Sequence, residues 1–81
     1  RKGAAQIRFE ILVFLFFNAK PQIRTKVWRE STNLSYDDFL KQLSFLVEKN
    51  LVKETEEAIC SLTEEGIWLY LELRKSLPSI L

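Results

Sequence analysis

Two of the three pairs of neighbouring acids in this 81-residue chain, together with its one cysteine, are candidates for acid–base or covalent chemistry. The acids are Asp37-Asp38 and Glu56-Glu57, and the thiol is that of Cys60. Adjacent carboxylates diverge in direction, so neither pair forms a preorganised acid–base couple. The chain has no histidine, which is the usual general base and the commonest metal ligand, and no base lies near Cys60 in the sequence to activate its thiol. We therefore expect no enzyme activity, no cofactor and no metal site.

A second set of side chains has the types that contact nucleic acid. Arginine and lysine bind phosphate oxygens, a glutamine such as Gln42 can pair with adenine, and a carboxylate can accept from cytosine. The cations at residues 24–29 are more consistent with phosphate contact than with simple solvation. For the polar residues at 35–42, base contact and simple solvation explain the pattern equally well. The candidate DNA-binding residues are Arg24, Thr25, Lys26, Arg29, Ser35, Tyr36, Asp38, Lys41 and Gln42.

Charge is unevenly distributed along the chain, although the net charge is only +1. Residues 1–29 contain seven basic residues and one acid (+6), residues 30–72 contain three basic residues and ten acids (−7), and the tail adds two basic residues (+2). This arrangement favours nucleic-acid contact by the basic third, or a protein partner for the acidic middle segment. Solvated charges sorted by chance explain it equally well.

The elements that must position these side chains follow from apolar spacing and from capping residues. Apolar residues at helical spacing predict helices over residues 4–18, 24–31, 35–49 and 63–77, and two short β-rich runs predict a hairpin over residues 51–62. A short edge strand at Gln22-Ile23 is also possible. The predicted inward face of the third helix consists of Tyr36, Phe39, Leu40, Leu43, Leu46 and Val47.

Helix boundaries are indicated by specific residues. Ser35 is predicted to cap the third helix, with Asp38 at the third helical position, and Thr63 is predicted to cap the fourth. Asn50 tolerates the left-handed conformation that often ends a helix, and Pro78 is expected to follow the end of the fourth helix. Phe45, on the outer side of the third helix, is expected to contact a partner or to be a lone exposed aromatic.

The first and last helices carry more apolar surface than the core of one small chain needs. Each helix has two apolar stripes, and 47% of the residues are hydrophobic. We expect a homodimer held by these two helices, although the last helix could instead cover the first within one chain. The predicted interface residues are Phe9, Leu12, Val13, Phe16, Leu69, Leu73 and Leu77.

Compartment is indicated by what the chain lacks. Its single cysteine cannot form an internal disulfide, so a reducing compartment such as the cytoplasm is expected. The longest apolar run, from Ile11 to Phe17, is too short to span a bilayer, and no signal-peptide pattern is visible. The absence of methionine and the start at Arg1 indicate a piece of a longer protein.

The predicted order of elements is that of an α+β winged helix-turn-helix domain over residues 1–81, a shape mostly used to place one helix in the DNA major groove. The segments that carry a family resemblance are NLSY at residues 33–36, the leucine spacing of the third helix, EKNLV at residues 48–52 and LTEEG at residues 62–66. On these segments the chain resembles archaeal winged helix-turn-helix DNA-binding proteins, among them small crenarchaeal chromatin-type proteins and transcription regulators.

That resemblance implies a dimer that reads double-stranded DNA through the third helix and regulates transcription. The acidic tip of the hairpin and the short last helix differ from the chromatin-type proteins and disfavour non-specific coating of DNA. Two functions therefore stay open. The chain is predicted to be a sequence-specific DNA-binding regulator, and the alternative is a winged-helix module that binds a protein and has little or no affinity for DNA.

Overall fold

A computed structural model describes residues 3–18 and 20–80, with side chains up to Lys75. Four helices surround a small antiparallel sheet, which is the predicted α+β winged-helix architecture. The second helix has the predicted bounds, and the others differ from prediction by one to three residues at an end. In chain order the elements are α1 (Ala4–Phe17), β1 (Gln22–Ile23), α2 (Arg24–Ser31), α3 (Tyr36–Glu48), β2 (Val52–Glu54), β3 (Ile59–Leu62) and α4 (Glu64–Ile80).

The sheet joins the start of α2 to the hairpin, which is called the wing below. Its strand order is β1-β3-β2, with Gln22 opposite Cys60 in one ladder and Val52 opposite Leu62 in the other. The amide of Arg24 continues the first ladder by donating to the carbonyl of Ala58, 2.8 Å away. The first residue of α2 is therefore held directly against the wing.

One hydrophobic core lies between α1, α2, α3, the sheet and α4. Its members come from every helix and both wing strands, so the helices and the wing are positioned by the same packing. The buried residues are Ile11, Leu12, Leu15, Val27, Phe39, Leu43, Leu46, Val52, Cys60 and Tyr70.

The predicted caps are confirmed. The side chain of Ser35 accepts a hydrogen bond from the amide of Asp38 at 3.2 Å. Asn50 has a φ of 60°, the left-handed conformation expected after α3. The hydroxyl of Thr63 accepts from the amide of Gly66 at 3.0 Å and donates to the carbonyl of Asn50 at 2.6 Å. The same threonine therefore starts α4 and ties it to the end of α3.

Gly66 is required by a close backbone contact that sequence analysis did not anticipate. A Cβ at this position would lie 2.0 Å from the carbonyl oxygen of Leu51. That oxygen also accepts from the amide of Thr63 at 3.1 Å, and the amide of Leu51 donates to Leu46 at 3.0 Å. Only glycine lets α4 approach the residue that links α3 to the wing.

Two boundary or packing predictions are wrong. The fourth helix continues through Pro78 to Ile80 instead of ending at Leu77. The fixed φ of proline lies in the helical range, and only two residues of the helix follow Pro78. The apolar spacing predicts that Val47 faces the core, but 38% of this residue is exposed. It lies at the edge of the apolar face of α3, where the short wing does not cover it.

Candidate nucleic-acid interface

The start of α3 is held by aromatic contacts with α2. The indole nitrogen of Trp28 donates to the carbonyl of Leu34 at 2.8 Å, which fixes the turn between the two helices. The ring of Trp28 also packs edge-on against Tyr36, with 5.0 Å between ring centroids. The helix-turn-helix therefore has a defined geometry, and the predicted contact residues Ser35, Asp38 and Lys41 are exposed near its start.

On one side of α3, an arginine links the helix-turn-helix to the wing. Arg24 donates from Nε to the hydroxyl of Tyr36 at 2.9 Å and from Nη1 to the carboxylate of Glu54 at 2.8 Å. The hydrogen bond with Tyr36 and the negative charge of Glu54 raise the pKa of Arg24, so the guanidinium stays charged. This predicted phosphate-binding residue is engaged within its own chain, with 34% of its side chain exposed.

We call this region the wing side of α3. Val47 and Glu48 reach it from the helix, and with Arg24 and Glu54 they border a shallow groove of about 290 Å³. The acids at the wing turn, Glu56 and Glu57, are exposed. The wing side therefore exposes apolar and acidic groups, and its arginine is already paired.

The thiol of Cys60, which lies beneath the wing side, is unreactive. Cys60 is fully buried, and its sulfur lies 4.0 Å from a carboxylate oxygen of Glu54. Burial, helped by the charge of Glu54, raises the pKa of Cys60 to about 11. The thiol is therefore protonated at neutral pH, and its position agrees with a packing role.

The opposite flank of α3, which we call the α1 side, holds two cations around an aromatic ring. The guanidinium carbon of Arg8 lies 3.6 Å from the ring centroid of Phe45, and Nε of Arg8 donates to Oε1 of Gln42 at 2.7 Å. The ammonium of Lys49 lies 5.6 Å from the same ring centroid. Phe45 is thus neither lone nor fully exposed, because the arginine of α1 covers it.

Sequence analysis missed Arg8 as a candidate contact residue. The available signal was a single cation in a helix that is otherwise almost entirely apolar. Its pairing with Gln42, 34 residues away, depends on how α1 crosses α3, which local spacing does not reveal. The predicted base-reading glutamine is therefore held by a neighbour and is half-buried.

The remaining predicted cations lie on the surface of α2. Lys26 and Arg29 are exposed, as is Thr25. Within the described part of the chain, neither cation has an ion-pair partner. Lys41 on α3 makes only a loose pair with Asp38, at 3.9 Å and with 78% of the lysine side chain exposed. These three cations can reach an external anion.

The predicted dimer residues divide into buried and surface sets. Leu12 is only 2% exposed within one chain, so it cannot contact a second chain. The ring of Tyr70 lies 4.4 Å from Phe16 and 5.8 Å from Phe9 between centroids, so α4 covers this stripe of α1 within the same chain. Leu73 stays 38% exposed, Val13 and Leu69 are half-buried, and Leu77 lies outside the described side chains.

The outer face of α4 presents large apolar side chains. Trp68 is 64% exposed, and Ile67 and Leu71 are about 40% exposed. Phe17, at the end of α1, is 68% exposed and lies edge-on to the ring of Tyr70. These residues form an aromatic and aliphatic surface that the described part of the chain does not cover.

The fold and this interface define a winged helix-turn-helix protein. The winged helix-turn-helix family model matches residues 1–78, and the chain belongs to that family. Domains of this kind are typically non-enzymatic DNA-binding modules. No curated protein and no solved structure matches the chain. Within the described residues, no helix is long and apolar enough to cross a membrane, and no three potential metal-ligating side chains are clustered.

Proposed function

We propose that the protein is a dimeric transcriptional regulator that binds double-stranded DNA with α3 in the major groove. The observation that carries the proposal is the exposed, capped start of α3 in a chain of the winged helix-turn-helix family. In such folds the first turns of the second helix of the motif reach the base edges. Ser35, Asp38 and Lys41 are exposed there, and Gln42 is half-buried beside them.

Affinity would come from phosphate contacts by the basic residues of α2. Lys26 and Arg29 are exposed without ion pairs among the described residues, whereas Arg24, at the start of the same helix, is paired with Glu54 and should contribute less. Each phosphate that a cation neutralises releases a counterion, which makes binding depend on salt. The turn of the wing contributes no such charge, because Glu56 and Glu57 occupy it.

A stripe on the outer face of α4 supports the dimer. Glu64, Trp68, Leu71 and Lys75 are spaced by four, three and four residues, so they follow one line along the helix, and all four are exposed. The two apolar members lie between an acid at one end and a base at the other. The stripe is therefore symmetric about its middle, except that the charges at its two ends are opposite.

Such a stripe is complementary to a second copy of itself in the antiparallel direction. With a two-fold axis between Leu69 and Tyr70, Trp68 of one chain would face Leu71 of the other, and Glu64 would face Lys75. The ammonium of Lys75 also lies 3.3 Å from Glu72 of its own helix, an exposed pair that an intermolecular contact can share or replace. The same residues therefore supply an apolar centre and two symmetric ion pairs. An α4–α4 pairing also leaves α3 free in each chain.

A salt-dependent titration of duplex DNA tests DNA binding. We expect wild-type affinity to fall steeply with salt. The variant with Arg24, Lys26 and Arg29 all changed to alanine should bind more weakly, and its salt slope should be flatter by about 0.9 for each phosphate that is no longer neutralised. Glu56→Gln/Glu57→Gln at the wing turn is the matched control and should bind like wild type. A wild-type chain that binds no duplex at any salt concentration refutes the proposal.

A charge exchange tests the dimer. Sedimentation should show that Glu64→Lys weakens association, because it sets two lysines against each other, whereas Glu64→Lys/Lys75→Glu restores it by reversing both ion pairs. Trp68→Glu should give a monomer. A wild-type chain that stays monomeric at high micromolar concentration, or a double variant no better than the single one, would rule out this pairing.

The second candidate function is protein binding, and the wing side favours it. Val47 is 38% exposed beside a groove bordered by Glu48 and Glu54, which would suit a partner that presents apolar and basic side chains. Under this alternative the salt titration gives no DNA binding, and changes on the wing side, rather than on α2, abolish association with the partner.

A further inference from the structure

We propose that Arg8, Phe45 and Lys49 form a second phosphate-binding site, which holds the DNA backbone along the α1 side of α3. The inference rests on the proposed DNA binding and adds contact residues on a helix outside the helix-turn-helix. Arg8 stacks on Phe45 at 3.6 Å, and Lys49 lies 5.6 Å from the centre of the same ring. One aromatic ring thus brings two cations from α1 and α3 together.

The guanidinium of Arg8 is fixed before any ligand arrives. Its central carbon lies over the ring of Phe45, and its Nε is bonded to Gln42 at 2.7 Å. A free arginine loses much rotamer freedom when it binds an anion, whereas one already held by a ring and an amide loses little. The contacts therefore lower the entropic cost of binding without neutralising the charge.

The donors that remain on Arg8 suit a phosphate. The bond to Gln42 uses only Nε, and among the described residues neither terminal nitrogen has a hydrogen-bond partner. A planar guanidinium binds a phosphate through two parallel N–H donors, and a nearby ammonium such as that of Lys49 adds a point charge.

The extent of the site favours a polymer over an isolated anion. Lys41, Phe45 and Lys49 are spaced by four residues each, so they form one stripe on α3 about 12 Å long. Successive phosphates of one DNA strand advance by about 3.4 Å along the axis, so the strand can contact the cations at both ends of the stripe and Arg8 between them. A single phosphate ion reaches only one part of it.

The test compares variants that change the stack in different ways. In titrations of duplex DNA at several salt concentrations, Arg8→Ala should lower affinity roughly tenfold and flatten the salt slope by about 0.9. Phe45→Leu retains every charge but removes the ring, so affinity should fall while the slope changes little. Lys53→Ala removes an exposed cation from β2 and is the matched control, which should bind like wild type.

The Nε–H signal of Arg8 in NMR spectra gives a direct readout. The bond to Gln42 should protect this proton from exchange, and the ring of Phe45 should shift its signal. Duplex DNA should move this signal at concentrations where inorganic phosphate at equal ionic strength does not. A shift that phosphate produces equally well refutes the backbone site and assigns the cluster to free anions. Arg8→Lys, which retains the charge on a folded chain, should weaken binding by less than Arg8→Ala.

The results separate the two proposals. If wild-type protein binds DNA and Arg8→Ala behaves like Lys53→Ala, the second site is refuted and the proposed function stands. If wild-type protein binds no duplex and the Arg8 signal does not move, both fail. The thermal unfolding of the Phe45→Leu and Arg8→Lys proteins is the control for folding. If both unfold like wild type, a lower affinity is caused by the changed contact between Arg8 and Phe45.

Discussion

The two flanks of α3 have opposite character although the same helix supplies both. On the wing side, Arg24 is neutralised by Glu54, and Glu48 adds a further acid. On the α1 side, the partners of Arg8 are a ring and an amide, and neither compensates its charge. A cation bound to a carboxylate is compensated within the chain, whereas a cation on an aromatic ring is oriented and still attracts anions.

The number of cations on a surface therefore does not measure its affinity for phosphate. Arg24 and Arg8 are both half-buried, and each donates a short hydrogen bond to a side-chain oxygen, Arg24 to Glu54 at 2.8 Å and Arg8 to Gln42 at 2.7 Å. What distinguishes them is the charge of the acceptor. The comparison predicts that DNA approaches α3 from the α1 side, with the acidic wing directed away from the phosphates.

The largest expected effect comes from disrupting the contact between α4 and the residue that links α3 to the wing. Gly66→Ala places a methyl group 2.0 Å from the backbone oxygen of Leu51, which no side-chain rotation can relieve. We expect a loss of about 3 kcal/mol or more in the free energy of unfolding, measured by chemical denaturation. Gly3→Ala is the control, because nothing lies within 4 Å of the added atom, and a similar loss there would contradict this explanation.

A smaller effect is expected at the start of α3, which both flanks share. Ser35→Ala removes the hydrogen bond to the amide of Asp38 and should cost about 1 kcal/mol of folding stability. Ser35→Asp, which also caps helices well, should restore most of the loss. An unchanged denaturation midpoint for Ser35→Ala would show that the cap contributes nothing.

Breaking the ion pair of the wing side should cost less. Glu54→Gln retains the shape of the side chain but removes the charge that faces Arg24, and the pair is partly exposed, at 34% and 20% of the two side chains. We expect a loss below about 1 kcal/mol, reduced further by salt. Glu56→Gln at the wing turn is the control. Equal melting temperatures for the two variants would mean that Arg24 does not depend on Glu54.

The finest test uses two neighbours on opposite flanks. Lys49→Gln removes a cation from the α1 side, and Glu48→Gln removes an acid from the wing side. Duplex affinity should fall a few-fold for the first and rise a few-fold for the second, because each changes one charge near the phosphates. If both variants changed affinity in the same direction and by the same amount, the two flanks would not differ as argued.

The sequence predicted what depends on local spacing and chemistry. The bounds of α2, the cap at Ser35 and the left-handed Asn50 follow from residue preferences at helix ends, and the structure confirms them. Contacts between distant elements could not be read in the same way. The stacking of Arg8 on Phe45 and the burial of Leu12 depend on how α1 crosses the other helices.

The limits of local spacing also explain the errors on α3. Its apolar pattern predicts which side faces inward, but not how far the neighbouring elements extend over it. Val47 is therefore exposed where the wing ends, and Phe45 is covered where α1 crosses. The glycine at position 66 was visible in the sequence, but its reason is a backbone oxygen fifteen residues earlier.

The contact between Gly66 and Leu51 also limits how α3 and α4 can be placed relative to each other. The amide of Leu51 is bonded to the last turns of α3, while its carbonyl oxygen meets the first turn of α4. Because this connection runs through backbone atoms, it sets how closely α4 approaches the end of α3. In the proposed dimer the position of α3 relative to α4 also determines the distance between the two α3 helices, and with it the spacing of DNA half-sites. That spacing therefore depends on position 66 having no Cβ.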